Sequence, residues 1–136
     1  MLTFVLDNCL ARDTIHLVEL PLCRFLLMND KRYPWLILVP RYNGLSEVHD
    51  LSEKDQSILI FEITCATRAL KKLFSPDKMN VAALGNMVSQ LHIHVIARFK
   101  KDEAWPNPVW GIGKSESYSK KEAKIIVNNI TNALLA

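Results

Sequence analysis

The spacing of apolar and polar positions changes several times along the chain, and each change marks an element. Residues 14–20, Thr-Ile-His-Leu-Val-Glu-Leu, are rich in strand formers and stop at Pro21, which cannot donate to a ladder. Residues 22–28 form a second short apolar run ending at Asn29-Asp30, and residues 30–34 carry turn chemistry. Residues 35–39, Trp-Leu-Ile-Leu-Val, are apolar throughout and end at Pro40, the pattern of a strand covered on both faces.

The period then lengthens. Leu59, Ile63, Ala66, Leu70 and Leu73 recur at helical spacing behind Ser52. The Ser52 hydroxyl suits an N-cap, and Glu53 and Asp55 suit the positive end of the helix dipole. Ser75-Pro76-Asp77 stops this helix. Residues 79–84 predict a fourth strand, Gly85-Asn86 a turn, and residues 90–99 a fifth strand. A loop rich in Trp, Pro and Gly follows over residues 101–114. A last helix spans residues 119–135, with Ile126, Ile130, Ala133 and Leu134 on its apolar side. The order β-β-β-α-β-β-α predicts an α+β domain with an antiparallel sheet. No repeat or linker-like tract divides it, so residues 1–136 read as one domain.

Composition narrows the classes. A chain of 136 residues, 49% hydrophobic and 23% charged, supports one ordinary globular core. Cys9, Cys23 and Cys65 are odd in number and lack CxxC spacing, which argues against a disulfide framework or a zinc knuckle. Cys65 reads as a small core residue, as does Met28. A net charge of +3 favours an anionic ligand slightly, but its scatter is no nucleic-acid signature. Lys71-Lys72 reads as a solvated helix face. No apolar window is long enough for a membrane helix. The first residues lack a basic n-region and break at Asp7. The expectation is a cytoplasmic protein with neither a membrane nor a nucleic-acid partner.

The chemistry concentrates in residues 85–98. Side chains alternate faces along a strand, so Leu91, Ile93 and Val95 share a core face while Gln90, His92 and His94 share the other. Spacing alone leaves three readings open. Such polar residues meet water on a half-exposed sheet, or bind a ligand on a rigid element, or hold a metal. Two His at i and i+2 suit zinc, copper or iron, but need a third ligand, and nothing in the spacing of Glu62, Asp102 or Glu103 singles one out.

The segment Gln90-Leu91-His92-Ile93-His94-Val95-Ile96 resembles the signature of the histidine triad (HIT) family, His-φ-His-φ-His-φ-φ with φ apolar. Gly85-Asn86-Met87-Val88 is similar to that family's Gly-Gln-(Ser/Thr)-Val stretch. Leu27-Met28-Asn29-Asp30 and the run from Trp35 to Arg41 look like its nucleoside-binding strands, and His49-Asp50-Leu51 also fits. The resemblance spans residues 15–100. Trp105-Pro106 and Pro108-Val109-Trp110-Gly111 look like the tail of a bacterial branch often labelled diadenosine-polyphosphate hydrolase-like.

The resemblance implies a HIT-like fold, a five-stranded antiparallel sheet with one long helix and a C-terminal helix, paired as a homodimer. It implies a nucleotide hydrolase or transferase. His92 matches the nucleophile that attacks the α-phosphate to give a nucleotidyl-histidine. His94 matches the histidine that contacts the phosphate, Asn86 an amide on a phosphate oxygen, and Asn29 and Asp30 residues near the ribose. No cofactor is required, and Mg2+ enters only as the substrate's counter-ion.

Two departures shape the expectation. Gln90 replaces the first histidine, keeping hydrogen bonding but losing a proton carrier. Met87 replaces a hydroxyl near the leaving group, which leaves protonation to His94 or water. The chain is therefore expected to favour dinucleoside polyphosphates over phosphoramidates. The alternative is a nucleotide-binding or sensing protein with little turnover. Elsewhere, His16 reads as a surface residue and His49 as a local capping residue. Trp35 flanks a base or packs in the core. Arg41 and Arg98 read as solvated strand-end charges ahead of phosphate ligands. Trp105 and Trp110 close over the site or pack at a dimer interface.

Overall fold

The computed structural model describes residues 3–136, so the reading of Met1 and Leu2 lies outside it. Five strands form one sheet: β1 (Thr14–Glu19), β2 (Cys23–Met28), β3 (Trp35–Pro40), β4 (Lys78–Ala82) and β5 (Ile93–Arg98). Their order is β1-β2-β3-β5-β4 and every pairing is antiparallel. Two of the helices, α2 (Glu53–Phe74) and α3 (Lys120–Leu135), match the pattern expected from the sequence. Ser52 caps α2 by accepting from Asp55 N, and Ser119 and Glu122 form a capping box on α3.

A further helix, α1 (Asn8–Asp13), has no apolar period to announce it. At six residues it is too short to hold itself. Asp7 caps it by accepting from Cys9 N at 2.7 Å, and Leu10 anchors it in the core.

Alternation along the strands builds two apolar layers. Phe25, Leu27, Leu36, Leu38, Ile93 and Val95 face α2 and α3, where Leu59, Ala66, Leu70 and Ile130 complete the main core. Glu62 of α2 fixes the helix to the sheet by accepting from Leu22 N and Cys23 N, both at 2.8 Å. Leu26, Tyr33, Trp35, Ile37, Val39 and Ile96 face the other way, under Leu10 of α1 and Ala104 and Val109 of the Trp/Pro/Gly loop. The second face is thus roofed rather than solvated.

That roof depends on Arg98. Its side chain is 2% exposed. It donates to both Asp102 carboxylate oxygens, to Asn80 Oδ1 and to Asn107 O. The sequence reading of a solvated Arg98 is corrected: a buried guanidinium needs hydrogen-bond partners, and here they are Asn80 of β4 and the loop residues Asp102 and Asn107. Cys65 and Met28 are half-buried rather than fully core.

Candidate active site

The β5 ladder begins at Ile93, so Gln90 and His92 precede it. This shifts the expected face. His92 and His94 stay together, with ring centroids 4.9 Å apart. Gln90 turns away. Its Oε1 accepts from Asp7 N at 2.8 Å and its Nε2 donates to Val5 O at 2.9 Å, tying down the segment that leads into α1. The expectation that its side chain shares the histidine face is corrected: residues 89–92 are outside the ladder and need not alternate.

Each imidazole has one nitrogen engaged. His92 Nδ1 lies 2.7 Å from the main-chain oxygen of Gln90. A carbonyl only accepts, so Nδ1 carries the proton and Nε2 keeps a bare lone pair. His94 is the reverse. Trp35 Nε1 lies 3.0 Å from His94 Nδ1. An indole only donates, so this Nδ1 is bare, and neutral His94 carries its proton on Nε2. Burial, and then the neighbouring His92, lower the His94 pKa to about 4.

A cavity of about 390 Å³ opens onto both rings. Leu10, Met28, Ile37 and Val88 give it an apolar wall; Cys9 and Asp13 of α1, with Asn86, supply polar groups. Asn86 and Met87 lie on its rim, and Met87 is 97% exposed. Gly85, at φ +83°, turns the chain into this rim in a conformation other residues resist. Trp110 closes one side, edge-on to His94 at 5.0 Å and to Trp35 at 5.9 Å.

A second cavity of about 400 Å³ shares Asp13, Met28 and Trp110 with the first and adds Asn29, Asp30, Arg32 and Trp35. Asn29 Oδ1 accepts from Tyr118 N, which leaves its amide N–H groups available. Asp30 is 2% exposed and bound on all sides, by Arg32 and by Glu116 N. Burial alone would raise its pKa; these hydrogen bonds hold it below the usual carboxylate range. Arg32 is engaged as well, by Asp30, Glu103 and Ile112 O. Asp30 thus braces the chain leading to α3.

The HIT domain model matches residues 11–101. The chain belongs to the HIT family. A histidine triad protein from Marinobacter aquaeolei is 44% identical and superposes with a TM-score of 0.95, over 98% of this chain and 97% of that one. A second, from Sinorhizobium meliloti, is 46% identical with a TM-score of 0.94, over 96% and 97%. A third, from Bradyrhizobium japonicum, is 42% identical with a TM-score of 0.94, over 97% and 98%. Among curated proteins none matches.

The remaining expectations sort out on this HIT frame. Arg41 donates to Leu20 O and Pro21 O, away from the cavity. Trp105 packs near Arg98 rather than over the histidines. His16 and His49 are exposed. The proposed third metal ligands are occupied elsewhere: Glu62 by Leu22 N and Cys23 N, Asp102 by Arg98, Glu103 by Arg32. Among the described residues no three His, Cys, Asp or Glu converge on a metal-sized site. No helix of these residues is long and apolar enough to cross a membrane. The sequence reading missed Cys9, Leu10 and Asp13; an Asp followed by a short polar-apolar stretch was the one available signal.

Proposed function

We propose that this HIT protein is a nucleotide hydrolase or transferase that cleaves at an α-phosphate through His92. The observation that carries the reading is the bare Nε2 of His92 beside a cavity of about 390 Å³. A nucleophile needs a free lone pair, and the Gln90 carbonyl holds His92 in the tautomer that supplies one.

The His92 lone pair attacks the α-phosphorus. A P–N bond forms, the P–O bond to the leaving group breaks, and its electrons stay on the departing oxygen. Water then attacks the same phosphorus, the P–N bond breaks, and the nucleotide leaves with one proton released. Charge that builds on the phosphate oxygens meets the Nε2–H of His94 and the amide of Asn86. Gln90 supports the site through its carbonyl and through the segment it ties down.

Two adjoining cavities of similar size, which share Asp13, Met28 and Trp110, support a substrate with two heads, such as a dinucleoside polyphosphate. The apolar wall beside His92 suits a base, and the free Asn29 amide suits a sugar hydroxyl. Arg12 is paired with Asp13, and Arg32 with Asp30 and Glu103. With these cations engaged, Mg2+ enters as the polyphosphate's counter-ion. Homodimerisation belongs to the same proposal: β4 is a sheet edge, and Val81, Ile60 and Phe61 leave apolar surface uncovered. So does a cytoplasmic location.

A substrate panel run on wild type and His92→Ala tests this. The expected result is turnover of dinucleoside polyphosphates, faster than of phosphoramidates, that His92→Ala abolishes. Faster phosphoramidate turnover rejects the substrate preference. Nucleotide binding with no product marks a sensing protein instead.

A further inference from the structure

The partner of His94 limits what that histidine can do for the reaction. Trp35 opens β3, and Ile37, two residues on, pairs directly with His94 of β5. The indole therefore reaches His94 diagonally on the roofed face, with both residues 5% exposed. The bond from Nε1–H to Nδ1 is 3.0 Å, and Trp110 closes over both rings. An indole N–H never accepts. A second proton on His94 would have to sit at Nδ1, where it would face that N–H with no acceptor between them.

We propose that Trp35 keeps a second proton off His94, so that His94 serves the reaction as a hydrogen-bond donor through Nε2 and not as a proton-delivering acid. Trp35 is then a positioning residue acting through His94. The inference rests on the hydrolase reading above and deepens it. It removes His94 as the acid for a leaving group, and Met87 has no proton to give. What remains favoured is a leaving group that departs as an anion, a nucleotide or pyrophosphate rather than an amine.

The surroundings add no competing charge from the strands. β3 presents Trp35 and Ile37, β4 presents Ala82 as the register partner of His94, and β2 presents Met28. The titratable groups on the same cavity are His92 beside it and Cys9 and Asp13 of α1. Of these, Asp13 is held by Arg12. The lowered His94 pKa agrees with the geometry.

The test is ring-nitrogen NMR on the full chain labelled with ¹⁵N-histidine, for wild type and Trp35→Phe, which keeps an apolar ring and removes the donor. Wild-type His94 should show a bare Nδ1 and a protonated Nε2, unchanged between about pH 5 and pH 8. In Trp35→Phe the two tautomers should mix and the titration midpoint should rise. On substrates, the variant should raise the ratio of amine-leaving to nucleotide-leaving turnover severalfold. A wild-type His94 with its proton on Nδ1 overturns the proposal, as does a Trp35→Phe spectrum identical to wild type. If that variant fails to fold, the wild-type spectrum still decides. Absence of any turnover in wild type sinks the hydrolase reading alone, since the tautomer is read without substrate.

Discussion

The main-chain oxygen of Gln90 lies 2.7 Å from His92 Nδ1, so Gln90 orients this histidine through its backbone. The side chain is thereby released for another task. It makes two hydrogen bonds to the segment that leads into α1, and α1 lines the cavity.

Replacing Gln90 by Ala should therefore cost stability more than chemistry. Two lost hydrogen bonds predict a loss of ~1–2 kcal/mol in urea unfolding. The carbonyl survives, so kcat should stay close to wild type, while KM rises as α1 loosens. A collapse of kcat with normal stability would instead give the amide a direct catalytic role.

Acid should weaken the fold through His94. Its pKa falls from 6.5 in the unfolded chain to about 4 in the folded one. Between these values the unfolded state binds more protons, so stability rises with pH in that window. This contribution is complete above pH 6.5 and is lost as pH falls to about 4. At ~1.4 kcal/mol per pKa unit it amounts to at most about 3–4 kcal/mol. Unfolding of wild type and His94→Asn across this range isolates it: the variant should show the shallower slope, and equal slopes would contradict the assignment.

Arg98 is a structural charge. Arg98→Met leaves the Asp102 carboxylate, 4% exposed, without its cation, a loss of ~3–5 kcal/mol. Denaturant midpoints check this. The double variant Arg98→Met with Asp102→Leu should recover part of the loss, because no uncompensated buried charge remains.

Trp110 closes the side of the cavity next to His94. Trp110→Ala opens that side, and loss of a substrate contact on the indole worth ~1 kcal/mol should raise KM roughly fivefold with smaller change in kcat. An unchanged KM would mean that Trp110 does not border bound substrate.

Much of this architecture is legible in the sequence because it rests on local periods. The helical spacing from Leu59 to Leu73 and the apolar run at Trp35 each required only one kind of neighbour, and both became what they predicted. The pair His92 and His94 was legible because only one residue separates them. What stayed hidden depends on contacts distant in sequence. Gln90 left the histidine face because the ladder stops short of it. Asp30 looks available for a ligand until Arg32 and the main chain at Glu116 engage it. The bond from Trp35 to His94 follows from the register of β3 on β5, which no single segment encodes.

The central claim is that His92 Nε2 becomes covalently bonded to phosphorus. It is tested most directly by rapid quenching of wild type with a dinucleoside polyphosphate, followed by mass-spectrometric peptide mapping under conditions that preserve phosphoramidate bonds. The account predicts a nucleotidyl group on His92, and in His92→Ala no adduct and turnover lower by roughly 10³-fold or more. An adduct on any other residue, or His92→Ala turning over at the wild-type rate, would contradict it.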